Sequence, residues 1–202
     1  MPEKRVVESL DLEGGVLCLD FANTVDSRFD LPTKDYLSDY TDLVLWASHA
    51  GAFKEQLANR LIKIQEQDPA RAERIFQHSI QLRETLYRIF QAYIQGEKVT
   101  PGDLEQLNDW ISRSFSQIKL NKTEKGFTYR WKNENDLELV LWEITKSAAD
   151  LLTKGNLKRV KQCPSCGWVF RDASKNRSRK WCSMQVCGNR AKAMRHYKRS
   201  QA

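Results

Sequence analysis

The chain has 202 residues, 41% of them hydrophobic and 29% charged, with a formal net charge of +7. That length suits one ordinary domain with a small appendage, or two modest domains. No apolar run approaches the ~18 residues of a membrane span. The opening Met1-Pro2-Glu3-Lys4-Arg5 also lacks the apolar stretch of a secretory signal, so a cytoplasmic protein with no membrane partner is expected. The charge is sharply segregated. From Lys154 onward 14 Lys and Arg stand against a single acid, Asp172, an excess of +13, which leaves the preceding 153 residues at −6. A basic tail on an acidic body points to a polyanion partner.

In chain order, Leu17, Phe21 and Val25 recur at helical spacing and predict a short helix, with Cys18 beside them as a small buried hydrophobe. Leu31-Pro32 marks a loop. Leu43, Trp46 and Ala47 predict a helix that ends near Gly51, and Leu57, Leu61 and Ile64 a second over about 53–65. Asp68-Pro69 opens a long helix with an acid as cap and Pro in the first turn, and Gly96 stops it. Thr100-Pro101-Gly102-Asp103 opens another in the same way, with Leu104, Leu107 and Ile111 as its apolar face. Segments 116–120 and 127–131 alternate at period two around a Gly-containing turn, which reads as a β-hairpin. A last helix covers about 135–153 and ends at Gly155, where the charge also changes sign. The expected architecture is a mainly α domain with one β-hairpin (an α+β domain) over 1–155, followed by a small cysteine module over 156–202.

That module carries C-x2-C, fifteen residues, then C-x4-C: Cys163, Cys166, Cys182 and Cys187. In a reducing compartment such a cluster favours a metal over disulfides. Zinc accepts a tetrahedral shell of four thiolates, and four protein ligands leave no open position, so one structural Zn²⁺ is expected, ahead of an iron–sulfur cluster or a redox-active thiol pair. Two ligands leading into a helix after a knuckle and short strands suggest a treble-clef or ribbon-like module.

Beyond Cys187 the segment 188–199 reads as an amphipathic basic helix. Lys192, Arg195 and Arg199 share one side with His196, and Ala191, Ala193, Met194 and Tyr197 share the other. Lys175, Arg177, Arg179 and Lys180 form a second basic stretch between the cysteine pairs. These seven cations are the expected nucleic-acid contacts. Arg190 falls on the packing side of the helix, where a bare cation is costly. Asp172 is the one acid in the module, so a partly buried Asp172–Arg190 ion pair is expected.

Trp181 to Arg190, W-C-S-M-Q-V-C-G-N-R, followed by Ala191-Lys192-Ala193, resembles the CGNR zinc finger, named after the string Cys187-Gly188-Asn189-Arg190. The stretch C-P-S-C-G-W-V-F-R-D-A-S from Cys163 is similar to that family's first half. Leu17 to Val25, L-C-L-D-F-A-N-T-V, resembles the opening of the ABATE domain that commonly precedes this finger. The resemblance covers nearly the whole chain. It implies a stress-induced bacterial transcription regulator, with RNA binding among the roles suggested for the family.

Asp20, Asn23, Thr24 and Arg28 project from the Leu17–Val25 region and the turn after it. They either line a small-molecule pocket or fix the next loop through caps and hydrogen bonds. No Ser/His/Asp or Cys/His set, phosphate-binding Gly-rich loop or paired-carboxylate signature stands out, so no catalytic residue is assigned and no enzyme activity is expected. The leading expectation is a zinc-dependent DNA-binding regulator whose acidic body senses an effector or forms homo-oligomers. The alternatives are an RNA-binding protein that stacks Trp168 or Tyr197 on unpaired bases, and a zinc–thiolate redox sensor. Buried Trp168 and Tyr197 would favour duplex DNA.

Overall fold

The computed structural model describes residues 6–30 and 32–200, without the side chains of Val6 and Arg195. Of the loop expected at Leu31-Pro32, Leu31 lies outside the described residues. A 3-10 turn, Val6–Ser9, leads to α1, Leu17–Ala22. Helices α2 (Tyr40–His49), α3 (Glu55–Gln65), α4 (Pro69–Gln95) and α5 (Pro101–Ser116) follow. Strands β1 (Ile118–Thr123) and β2 (Gly126–Trp131) form an antiparallel hairpin ahead of α6, Leu139–Lys154. A second antiparallel hairpin, β3 (Val160–Gln162) and β4 (Val169–Arg171), begins the cysteine module. A wide π-type turn, Met184–Gly188, runs into α7, Asn189–Ser200.

The long helix is α4, about 40 Å at 1.5 Å per residue. The Asp68 side chain accepts the Arg71 N–H at 3.0 Å, Pro69 fills the first turn, and Gly96 ends the helix in the left-handed region at φ 72°. Helix α5 starts equally legibly, with Thr100 Oγ1 accepting the Asp103 N–H at 3.1 Å. It then runs to Ser116, past the point where β alternation begins. Leu107 is buried on it, whereas Leu104 of the expected apolar face is exposed. Helix α6 starts four residues later than its periodicity suggests. The Asn133 side chain accepts the Asn135 N–H and that of Asp136 the Glu138 N–H, and these local bonds hold the approach in turns.

Helix α1 packs against α4 and α6, and carries the fully buried Cys18, Leu19 and Phe21. Burial pushes the Cys18 thiol up to about 12, so it behaves as an inert core residue. Val160 of β3 and Val169 of β4 belong to the same apolar cluster as Phe21, Trp46, Leu86 and Ile144. The sign of the charge changes at Gly155, but packing runs on across it into the first half of the cysteine module. None of the helices among the described residues is long and apolar enough to cross a membrane.

Candidate metal centre and basic finger

The four thiols meet in one buried cluster. The first pair sits on the turn of the β3–β4 hairpin, where the Gly167 N–H donates to Cys163 O at 2.9 Å and the Cys163 N–H to Trp168 O at 2.8 Å. Gly167 takes φ 77°, and a Cβ there would lie 2.7 Å from the Cβ of Arg28. Glycine is therefore required twice, by the left-handed backbone and by the close approach of the body. The second pair brackets the wide turn, which the Gly188 N–H closes by donating to Ser183 O at 2.9 Å. The ligand atoms of Cys163, Cys166, Cys182 and Cys187 all lie within 4.8 Å of one another. Two of the separations are 3.5 Å (Cys166 to Cys182) and 3.6 Å (Cys182 to Cys187). A tetrahedral zinc with bonds of about 2.3 Å has sulfur–sulfur edges of about 3.8 Å. The cluster fits one structural zinc ion, and four soft donors in a closed shell match that metal.

The loop between the pairs is organised from inside. Asp172 is fully buried and accepts from Lys161 Nζ at 2.7 Å, Ser174 N at 2.9 Å, Ser174 Oγ at 2.6 Å and Arg179 N at 3.1 Å. Burial alone would raise its pKa, but Lys161 and Ser174 outweigh that and hold the carboxyl well below the usual range. Lys161 also donates to the carbonyls of Arg177 and Arg179. The expected Asp172–Arg190 pair is thus corrected: the partner of Asp172 is Lys161, and Arg190 is exposed. The reason lies in α7. Its apolar side was expected to pack, yet Met194 and Tyr197 are 55% and 58% exposed. Its principal contact is with the wide turn before it. Arg190 consequently reaches solvent and needs no buried counter-ion.

Among the expected nucleic-acid contacts, Lys175, Arg177, Lys180, Lys192 and Arg199 are exposed. The Arg195 side chain lies outside the described residues. Arg179 differs: it points inward, lies over the Phe170 ring at 4.8 Å, pairs with Glu13, and donates to the carbonyls of Trp181 and Cys182. It braces the second cysteine pair against the body, so it is corrected from a surface contact to a structural cation. Between the first knuckle and α7 lies an open groove of about 340 Å³, lined by Pro164, Trp181, Arg190 and Met194 among others.

The four polar residues near α1 are taken up in hydrogen bonds, the second of the two expected roles: Asn23 and Arg28 reach the finger directly, Asp20 does so through Gly14, and Thr24 stays within the body. The Asn23 side chain clamps the Val169 backbone both ways: Nδ2 donates to Val169 O at 2.8 Å, and Oδ1 accepts the Val169 N–H at 3.0 Å. Thr24 Oγ1 donates to Phe21 O and accepts from Arg83. Arg28 lies over the Tyr87 ring at 4.2 Å and pairs with Glu84 at 2.6 Å, while its N–H donates to Cys166 O at 2.7 Å. Asp20 Oδ1 accepts the Gly14 N–H at 2.7 Å, and Gly14 O accepts the Arg171 N–H at 2.9 Å. Polar groups at a buried seam need partners: Asn23 and the Arg28 backbone find theirs on strand and knuckle backbone, and Asp20, Thr24 and the Arg28 guanidinium find theirs within the body. The sequence reading missed the α4 half of this seam. Arg83 is buried and holds Asp35 bidentately at 2.8 and 2.6 Å, and Tyr87 donates to Gly167 O at 3.1 Å. A cation on the inner stripe of an amphipathic helix was the available signal.

Asp20 carries a pH signature. Burial raises its pKa from 3.8 to about 6, against the lowering effect of the Gly14 hydrogen bond and with a further push from Glu13. An acid whose folded value is raised opposes folding when ionised. Through this group stability is therefore full below about 4 and declines as pH rises through about 6. Asp20→Asn, whose amide oxygen still accepts the Gly14 N–H, is expected to flatten that segment and raise stability at neutral pH by roughly 2–3 kcal/mol. Urea midpoints of both proteins across that pH range test this; parallel curves would refute it.

Two family profiles match the chain. Residues 15–155 match ABATE, described as "Putative stress-induced transcription regulator", and residues 159–200 match the CGNR zinc finger. No individually curated protein matches. The fold, the four-thiolate cluster and these matches agree: the chain belongs to the ABATE family and carries a CGNR zinc finger with a structural zinc site.

Proposed function

We propose that the protein is a DNA-binding transcription regulator whose finger holds the duplex through α7. The observation that carries this reading is the exposed basic surface of α7. Helix α7 packs mainly on the wide turn before it; Arg190 at its start lines a cleft with Asp11, Glu13 and Asp26 of the body, and beyond it Lys192, Lys198 and Arg199 are exposed with no acid along the helix. A helix about 10–12 Å across matches the roughly 12 Å width of the B-DNA major groove, whereas the deep, narrow groove of an RNA duplex excludes it. Lys175, Arg177 and Lys180 extend the cationic surface on the loop. The helical body receives the regulatory input, as a small-molecule effector or a second copy. The four-thiolate shell offers no open metal position, so the zinc has a structural role and not a catalytic one.

One observation favours a second reading, RNA. Trp168 is committed to the fold through its Nε1–H, which donates to Val25 O at 2.8 Å, but Tyr197 is exposed and free to stack. A double Lys192→Ala, Arg199→Ala variant is expected to weaken duplex binding. If both residues contact phosphates only, it should also reduce the slope of log Kobs against log salt by about 2. Titrations of the zinc-loaded protein at several salt concentrations measure this. An unchanged slope and affinity would sink the α7 reading, and preference for unpaired RNA over duplex DNA would select the second one.

A further inference from the structure

The acidic body has one basic projection, the β1–β2 hairpin. Residues 118–132 carry five cations and one acid, Glu124, against the net −6 of the body as a whole. The register pairs Leu120 with Tyr129, Lys122 with Phe127 and Ile118 with Trp131. Directly paired residues share a face, as do residues two apart on a strand, so all six side chains lie on one side. At the base Trp131 packs against Trp142, with ring centroids 5.6 Å apart, and its Nε1–H donates to Glu143 at 2.6 Å. Further out the same face is bare: Leu120, Tyr129 and Phe127 are 65%, 61% and 74% exposed.

The opposite face sets Lys119 directly across from Arg130. Like charges in that position disfavour strand pairing, and a two-stranded ribbon is marginal on its own. Among the described residues no salt bridge pairs Lys119, Lys122, Lys125 or Arg130 with an acid. A bound anion would relieve the Lys119–Arg130 repulsion and stabilise the ribbon. Two rings two residues apart on one strand offer flat apolar faces, with Lys122 directly across from Phe127 on the same side and Lys119 and Arg130 on the reverse side. Duplex grooves present base edges; only unpaired bases present their faces for stacking. Hairpin-to-hairpin pairing of two copies would bring like charges together, which charge complementarity disfavours; pairing of the hairpin with the acidic body of a second copy is separated by the sedimentation measurement below.

We propose that the β1–β2 hairpin binds single-stranded nucleic acid, with Phe127 and Tyr129 as the stacking platform, Lys122 as the phosphate contact on that face, and Lys119 and Arg130 as phosphate contacts on the reverse face for a strand that passes over the edge of the ribbon. The choice of a nucleic acid over other polyanions rests on the finger reading above; the surface itself is separate from the finger. The hairpin is anchored through Trp131 on Trp142 and Glu143 of α6, the helix from whose end the chain enters the finger, and a strand opened beside a duplex held by α7 would have a second site on the same molecule.

The test uses the full-length, zinc-loaded chain with a short oligothymidylate carrying one 2-aminopurine, a short duplex, and vesicles of phosphatidylglycerol and phosphatidylcholine. The double variant Phe127→Ala, Tyr129→Ala is expected to weaken oligothymidylate binding at least about tenfold, to abolish 2-aminopurine quenching and to leave duplex affinity unchanged. Lys119→Gln with Arg130→Gln should weaken the same probe and lessen its salt dependence. Both changes lie on exposed surface, and far-UV circular dichroism confirms that the fold is kept. Unaltered single-strand affinity and quenching in the aromatic variant overturns the proposal. So does loss of vesicle binding alone, or of self-association alone by sedimentation. If the Lys192→Ala, Arg199→Ala protein loses the duplex while the aromatic variant keeps the oligothymidylate, the hairpin assignment falls and the finger reading stands. If the wild-type chain binds neither nucleic acid at low salt, both fall. If the finger variant loses the duplex and keeps the oligothymidylate, both are supported.

Discussion

Chelating the zinc, or replacing Cys182 with Ser, is expected to release residues 181–200 from the fold while the β3–β4 hairpin, and the loop that Asp172 and Lys161 organise, stay docked on the helical body. The second half of the finger has almost no apolar interior of its own. Its buried cluster consists of the four cysteines and Phe170, with Trp168 and Trp181 packed against it. A segment this small relies on the metal for most of its stability, and structural zinc binding is worth on the order of 10 kcal/mol. The first half is held otherwise, through Asn23, Tyr87, Trp168 and the Val160–Val169 contribution to the body core. Hydrogen exchange should therefore show full loss of protection over α7 and the wide turn on metal removal, with Val169 and Phe170 still protected. Metal analysis of the intact protein should give about one zinc per chain. Persistent protection of 182–200 in chelator would contradict this account of what holds the finger.

Asn23→Ala carries the second large effect. The Asn23 side chain is 4% exposed and satisfies both polar groups of one buried β4 residue. Truncation leaves the Val169 N–H and C=O without partners at a dry seam. At about 1–3 kcal/mol per orphaned group, the loss should be roughly 2–6 kcal/mol. Asn23→Asp should not rescue it, since a carboxylate then faces the Val169 carbonyl. Urea unfolding should show the lower midpoint, and hydrogen exchange should locate the loosening at β4 and the first knuckle. A variant of unchanged stability, with β4 as protected as in the wild type, would mean that the seam is held by its apolar contacts alone.

What could be read from the sequence follows from how local each signal is. Asp68-Pro69, Thr100-Pro101 and Gly96 act on their own neighbours, and α4 and α5 begin where those residues say. The zinc ligands were legible because C-x2-C and C-x4-C are short-range turns whose only shared purpose is one ion. The seam was not. Asn23 and Val169 are 146 residues apart, and nothing about an Asn after a short helix reveals which backbone it will clamp. The Asp172–Arg190 expectation failed at one step, the assumption that an amphipathic pattern implies a covering surface. Met194 and Tyr197 have the spacing of a packing face with nothing packed on it. Lys161, in line on β3 and pairing across to Phe170, was the nearer cation.

The docking of the first knuckle has a kinetic meaning. Cys163 and Cys166 are presented by a hairpin whose shape the body dictates, through Gly167 seated against Arg28 and through the Arg28 N–H on the Cys166 carbonyl. A nascent chain emerging from the ribosome completes that half-site before the second cysteine pair has any fixed position. An incoming ion then meets two thiols already set at chelating distance, and much of the ordering entropy of capture has been spent beforehand. Cys182 and Cys187 close over it afterwards, like a clasp. Metal exchange should run in the same order reversed, with the clasp opening first, so the lifetime of the loaded state is governed by the wide turn at 184–188 and by the brace that Arg179 provides.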